Sequence, residues 1–248
     1  MPHQASRPRP LTGRVPASAI RCTTLPRLDP ALLDRARALP DLTANISDAM
    51  DELGLRGVVP ASCMACQLPG ARIAGQAVTV RNTERTEGVA ASVASGRGLM
   101  GEHEAYNQAD PGDVVVIEGL DGVSNLGGQS AMVASRSECA GAIIDGGFRD
   151  PEVSRQLGFP IWSRGPTPIT GKWRLQTVEI NGSVRIAGVA VHAGDLVAAD
   201  EAGIDFIPHA HALAVITVAE RIASGDTRQQ ADIRNGISPA ELASTKYK

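Results

Sequence analysis

Aromatic side chains are scarce in this sequence: Phe, Tyr and Trp together make up 3% of it. A core must therefore be built from Val, Ile, Leu and Ala, with glycine letting backbones approach closely. The same scarcity, beside 24 basic and 27 acidic residues and a formal net charge of −3, removes the usual footprint of a nucleic-acid or anionic-membrane partner. No apolar run approaches the ~20 residues that a bilayer-spanning helix needs. The N-terminus has no apolar signal core either, so the expectation is a soluble cytoplasmic protein.

Cysteine and lysine are also sparse, and each shortage narrows the chemistry. Cys63 and Cys66 form a single C-x-x-C with no second pair and no histidine close by, whereas structural zinc takes four ligands. Cys22 and Cys139 are isolated, and Cys139 reads as a small packed hydrophobe. The lysines are Lys172, Lys246 and Lys248. A Schiff-base mechanism would rest on Lys172 alone, in the glycine-flanked loop Thr170-Gly171-Lys172-Trp173.

What is abundant is small residues around one central stretch, Gly127 to Asp150. Gly127 and Gly128 open a segment, Gln129 to Ala140, whose composition suits a tightly packed helix. Its N-terminus offers free N–H groups to a carboxylate or phosphate. The short apolar run Ala142-Ile143-Ile144 predicts a buried strand, Asp145-Gly146-Gly147 a turn, and the turn delivers Phe148-Arg149-Asp150. An Arg-Asp pair just past the carboxyl end of a buried strand is where open α/β sheets bind ligands. The competing structural reading is a salt-bridged strand end, with Asp150 capping the helix that starts at Pro151. For Gly127 and Gly128 it is close packing of a helix on the sheet.

Elsewhere the pattern divides the chain into an extension over residues 1–25, a main domain over 26–225, and a terminal helix and tail over 226–248. Asp29-Pro30 starts one helix and Thr43 a second, which Gly54 closes. In that second helix Asn45, Ser47, Asp48 and Asp51 make a polar face. Residues 72–81 alternate as a strand, 88–108, rich in Ala and Gly, read as helical, and 114–117 as a buried strand. His103 and Glu104 within that helix could be ligands, surface placement being the ordinary alternative. After a short helix over 151–157 come strands at 160–163, 178–180, 184–186, 189–191 and 204–208, then an amphipathic helix over 209–223. Ala193-Gly194-Asp195 echoes Pro111-Gly112-Asp113, predicting two similar corners in one curved sheet. The class is a mixed α/β domain with a β-rich core.

Several of these strings resemble the RraA-like family: Gly-Gly-Gln-Ser at 127–130, the Asp-Gly-Gly-Phe-Arg-Asp at 145–150, Gly194-Asp195 with Asp200-Glu201-Ala202-Gly203, and Ile207-Pro208. Ser47-Asp48-Ala49-Met50 and Gly75-Gln76-Ala77-Val78-Thr79-Val80 belong to the same likeness, which spans residues 40–224. The resemblance implies a swivelling β/β/α fold and a homotrimer or dimer of trimers with its site at the subunit boundary. It also implies one of two roles. The first is a class II aldolase that cleaves 4-hydroxy-4-methyl-2-oxoglutarate or 4-carboxy-4-hydroxy-2-oxoadipate to pyruvate and decarboxylates oxaloacetate. The second is a regulator that binds a ribonuclease or other protein without catalysis. A related sugar-acid lyase or dehydratase would use the same grip.

Under this resemblance Asp150 holds Mg²⁺ or Mn²⁺, Arg149 contacts the pyruvoyl part of a small 2-oxo acid, and Gly127, Gly128, Gln129 and Ser130 form the substrate loop. Arg149 and Asp150 are thus the expected catalytic residues. The loop departs from many aldolase members, which carry Gly-Glu and two apolar residues there. That difference bears on the aldol substrate more than on the metal and anion chemistry.

Overall fold

The computed structural model describes residues 9–247. Residues 1–8 of the expected extension, and Lys248, lie outside that range. Asp29 accepts the Ala31 N–H through Oδ1 at 2.9 Å and Pro30 supplies a preset φ, so helix α1 (Pro30–Ala38) begins where the sequence places it. Helix α2 (Leu42–Glu52) buries Leu42, Ile46, Ala49 and Met50 along one stripe. Its polar residues do not make a uniform solvated face. Asn45 is buried, and its Nδ2 donates to the Pro40 carbonyl at 2.7 Å, tying down the helix start.

Two short strands that alternation did not reveal follow, β1 (Val58–Pro60) and β2 (Ala65–Cys66). The long β3 (Ile73–Glu84) is the axis of the molecule. The stretch expected to be helical over 88–108 holds two helices, α3 (Val89–Ser95) and α4 (Glu102–Gln108), parted by the glycine-rich segment 96–101. Then come β4 (Val114–Glu118), α5 (Gly128–Arg136), β5 (Gly141–Phe148), α6 (Pro151–Leu157) and β6 (Ile161–Pro166). The remainder is β7 (Leu175–Ile180), β8 (Ser183–Ile186), β9 (Val189–His192), β10 (Leu196–Ala199), β11 (Gly203–Ile207), α7 (Ala212–Arg234) and α8 (Pro239–Ser244). Helix α7 runs unbroken through the boundary expected at residues 225 and 226.

The main sheet runs in the order β1-β11-β10-β3-β4-β5-β6-β2, with β7 also on β3 and β8–β9 as a separate hairpin. Strands β3, β4, β5 and β6 are parallel neighbours, while β10 and β7 join β3 antiparallel. The two glycine-aspartate corners flank β3 from opposite sides. Asp113 accepts the Asp110 N–H and Asp195 the His192 N–H, each at 2.8 Å, so the echo is the same three-residue carboxylate turn used twice. Asp145-Gly146-Gly147 is not a turn. It lies within β5, where the pairing with β6 slips between Ile144 and Gly147. A Cβ on Gly146 would stand 2.5 Å from Leu120 O, because the loop after β4 crosses the strand at that point.

Three apolar clusters fill the layers. One lies between α4–α5 and the parallel strands, one between the sheet and β8–β9, and one under α1, α2 and α7. This is the mixed α/β architecture expected, a large mixed sheet flanked by helices. None of the helices among the described residues is long and apolar enough to cross a membrane.

Candidate functional site

Strands β4 and β5 end side by side, and the segments leaving them meet over their carboxyl ends. The loop after β4 reaches Gly127, where α5 begins; β5 ends in Phe148, and Arg149 and Asp150 lead into α6. Parallel strands with a helix after each open a crevice there, so the position follows from topology. A cleft of about 380 Å³ occupies it, lined by Gly127, Gly128, Gln129, Ser130 and Arg149 together with Glu102, His103, Arg14 and Lys172.

Asp150 stands beside this cleft and is not on its lining. Its backbone is left-handed (φ 61°), which turns its carboxylate away from its own helix. The structural reading of a salt-bridged strand end capping the helix at Pro151 holds in part: Asp150 stands at the N-cap of α6 and pairs with Arg149, but it makes no side-chain cap bond to α6. Its Oδ2 instead accepts the Gly128 N–H at 2.9 Å and faces Arg149 Nε at 3.3 Å. Thus the first N–H of α5, expected to hold a substrate anion, is taken by a carboxylate of the protein. Oδ1 has no hydrogen-bond partner among the described residues, and the side chains of Arg149 and Asp150 are 41% and 40% exposed.

The glycine pair has two separate reasons. A Cβ on Gly128 would lie 3.0 Å from Val153 Cγ2 and 3.1 Å from Asp150 Cβ, so Gly128 lets α5 pack on α6. Gly127 would place its Cβ 3.4 Å from Asp150 Oδ2 and 3.7 Å from Arg149 Nη2, ordinary contacts against the ion pair. The close packing expected of helix on sheet is packing of helix on helix.

Glu102 was not singled out from sequence, and it is the buried ionisable group of the site. It is 7% exposed, and its Oε1 accepts Ser130 Oγ–H at 2.6 Å. The break over residues 96–101 starts α4 at Glu102, which aims Glu102 and His103 at the cleft. Glu104, for which a ligand role and surface placement were the alternatives, takes neither: it is buried, points away from the cleft and accepts from Thr12. Burial pushes its carboxyl up, but hydrogen bonds from Thr12, Gln108 and Asn107 outweigh this and hold it below the usual range. Tyr106, packed near His103 at 5.8 Å between ring centres, has its hydroxyl driven far above its ordinary value by burial and then by Glu102.

A second depression, of about 340 Å³, is lined by Asp41, Thr43, Arg72, Asp200 and Glu201. Two of its carboxylates are already employed in the fold. Asp200 accepts from the Thr43 N–H and hydroxyl, and Glu201 from the Gly70 N–H.

Among the described residues no three His, Cys, Asp or Glu side chains come together as a metal cage. The donor set beside the cleft fits a different kind of ion. One carboxylate oxygen without a hydrogen bond, on a half-exposed side chain, suits Mg²⁺ or Mn²⁺, which commonly keep several waters and take only one or two carboxylates. The cysteines are all free, and Cys139, buried in the core, has its thiol pushed up to about 12 by burial and by Asp113, so it is inert packing.

The protein is similar along most of its length to a protein of Halalkalibacterium halodurans provisionally named as a 4-hydroxy-4-methyl-2-oxoglutarate aldolase, 28% identical over 72% of this chain and 87% of that one. Among solved structures, an uncharacterized protein from Pseudomonas syringae pv. tomato superposes with a TM-score of 0.77 at 26% identity, over 89% of this chain and 96% of the other. Streptomyces coelicolor RraAS2, described as an unusual member of the RNase ES inhibitor RraA family, has the same fold with a TM-score of 0.67 at 24% identity, over 86% and 99%. The family model described as Aldolase/RraA matches residues 43–205, which include α4, β4, α5, β5 and α6, and the chain belongs to the RraA-like family.

Proposed function

We propose that the cleft is the active site of a divalent-metal-dependent carbon–carbon lyase, a class II aldolase that cleaves 4-hydroxy-2-oxo acids such as 4-hydroxy-4-methyl-2-oxoglutarate or 4-carboxy-4-hydroxy-2-oxoadipate to pyruvate and decarboxylates oxaloacetate as a side reaction. The observation that carries this reading is the shared geometry of Arg149, Asp150 and Gly128. Arg149 opens onto the cleft with its Nε 3.3 Å from the carboxylate that also anchors the first N–H of α5. Membership of the family and the aldolase name of one relative support it further.

In this reading Arg149 grips the carboxylate of the 2-oxo acid with a planar guanidinium fork. Gly127 to Ser130 form the wall against which the pyruvoyl part lies. Asp150, with one carboxylate oxygen free of hydrogen bonds, would hold the cation. The cation, when bound, supplies the positive charge that stabilises a developing enolate. Glu102 and His103 are the ionisable side chains of the lining, and they take the proton from the 4-hydroxyl and return one to the pyruvate methyl carbon. The active form in this proposal is a homotrimer or dimer of trimers.

The test is a panel of 4-hydroxy-2-oxo acids with purified protein, reading pyruvate release with Mg²⁺ and with EDTA. Release from at least one member, abolished by EDTA, is the expected outcome. No release from any member, with Mg²⁺ or Mn²⁺, would sink the reading and leave a protein-binding regulator as the role of this chain.

A further inference from the structure

Residues 9–28 precede the segment that matches the family, yet residues 9–15 are seated along α4. Arg9 reaches the Asn107 carbonyl at 3.0 Å and the Asp110 carboxylate at 3.1 Å. Thr12 donates both its N–H and its hydroxyl to Glu104 Oε2, at 2.7 and 2.5 Å. Val15 is 5% exposed. A Cβ on Gly101 would stand only 2.3 Å from Val15 Cγ1, so the chain at the head of α4 is shaped to receive this arm.

Between Thr12 and Val15, both anchored, stands Arg14. It lines the cleft, and its guanidinium has neither a hydrogen bond nor an ion pair among the described residues. Lys172 lines the same cleft, its Nζ 4.3 Å from the centre of the Trp173 ring and without a carboxylate partner among the described residues. Arg149, by contrast, already faces Asp150. The lining therefore carries Arg14 and Lys172 besides the cation assigned to the oxo-acid head, against one carboxylate, Glu102, which leaves an excess of positive charge beyond what a single carboxylate needs. Unpaired basic groups converging on a cleft favour a ligand with a second anionic group.

We infer that Arg14 and Lys172 bind the carboxylate at the far end of a dicarboxylic 2-oxo acid, which makes residues 9–15 a specificity element supplied from outside the family-matched segment. This rests on the proposed function only for the chemistry at Arg149; the binding itself is measurable without turnover.

The experiment is a calorimetric titration of the full chain, with Mg²⁺ present, using 2-oxoglutarate and its monocarboxylate counterpart 2-oxobutanoate. The intact protein is expected to bind 2-oxoglutarate about tenfold tighter or more. Arg14→Ala and Lys172→Met should each weaken 2-oxoglutarate about tenfold and leave 2-oxobutanoate unchanged, while Arg14→Lys should recover part of the loss. Equal affinity of the intact protein for the two acids, no binding of 2-oxoglutarate, unchanged binding in both Ala and Met variants, or equal losses for both acids would each overturn the inference. Lyase activity with binding unaffected by Arg14→Ala defeats the inference alone. A binding difference that depends on Arg14, in a protein that cleaves no hydroxy-oxo acid, defeats the aldolase reading alone.

Discussion

Arg149 and Asp150 sit side by side in sequence, and the left-handed backbone at Asp150 is what turns their side chains onto one another. Replacing Arg149 with Ala is expected to lower kcat/KM for a 2-oxo acid by about 100-fold or more, since a fixed charge on the reacting anion is lost. Arg149→Lys should recover little of it, because an ammonium cannot reproduce the guanidinium fork. Steady-state kinetics on oxaloacetate checks both; a Lys variant as active as the wild type would contradict the role. Asp205 offers a prediction of another kind. It is fully buried, neither carboxylate oxygen has a hydrogen-bond partner among the described residues, and burial, with Asp200 adding to it, pushes its pKa to about 8. The folded protein thus keeps this proton to higher pH than the unfolded chain does. The stability linked to it is full below about pH 4 and is lost as pH rises toward 8. Asp205→Asn should therefore raise stability at pH 8 and change it little at pH 4. Denaturant unfolding at the two pH values reads this directly, and an equal effect at both would refute it. The Arg-Asp pair was legible in sequence because both residues lie in one local string. Glu102 and Arg14 were not, because their places depend on the helix break at residues 96–101 and on an arm returning from far off in the chain.

Helices α5 and α6 pack where Gly128 leaves room, and the packing also seats the Asp150 carboxylate on the Gly128 N–H. Gly128→Ala would press its Cβ on Val153 and Asp150 at 3.0 to 3.1 Å, so those side chains must give by a few tenths of an ångström. The expected cost is about 1–3 kcal/mol of stability. Urea unfolding measures it, and activity should fall further than stability does because the added methyl presses on Asp150 itself. A variant as stable and active as the parent would contradict this account of the glycine. Helix starts were readable where a cap and a proline coincide, as at Asp29-Pro30, and strands where apolar runs are continuous, as at 114–117. Gly146 misled for a physical reason. Glycine there admits the loop after β4 close against the strand, and nothing local distinguishes that need from a turn. Strands β1 and β2 are short and find their partners, β11 and β6, only through the tertiary fold.

Across the whole molecule, β3 joins the two halves, since β10 pairs with its first residues and β4 with the next. The site sits on the parallel side of that seam, where the carboxyl ends of β4 and β5 open, and a single arm from outside the matched segment closes one flank. The fold class was readable from patterning and resemblance together, whereas strand order required the pairing. The aldolase proposal expects three or six chains in solution, and sedimentation velocity should show no sizeable monomer. The most direct measurement of the central claim is pyruvate release from oxaloacetate by wild type and Asp150→Ala, each with Mg²⁺ and with EDTA. Metal-dependent release by the wild type that falls about 100-fold in the variant is the predicted result; metal-dependent release at undiminished rate in Asp150→Ala would contradict it.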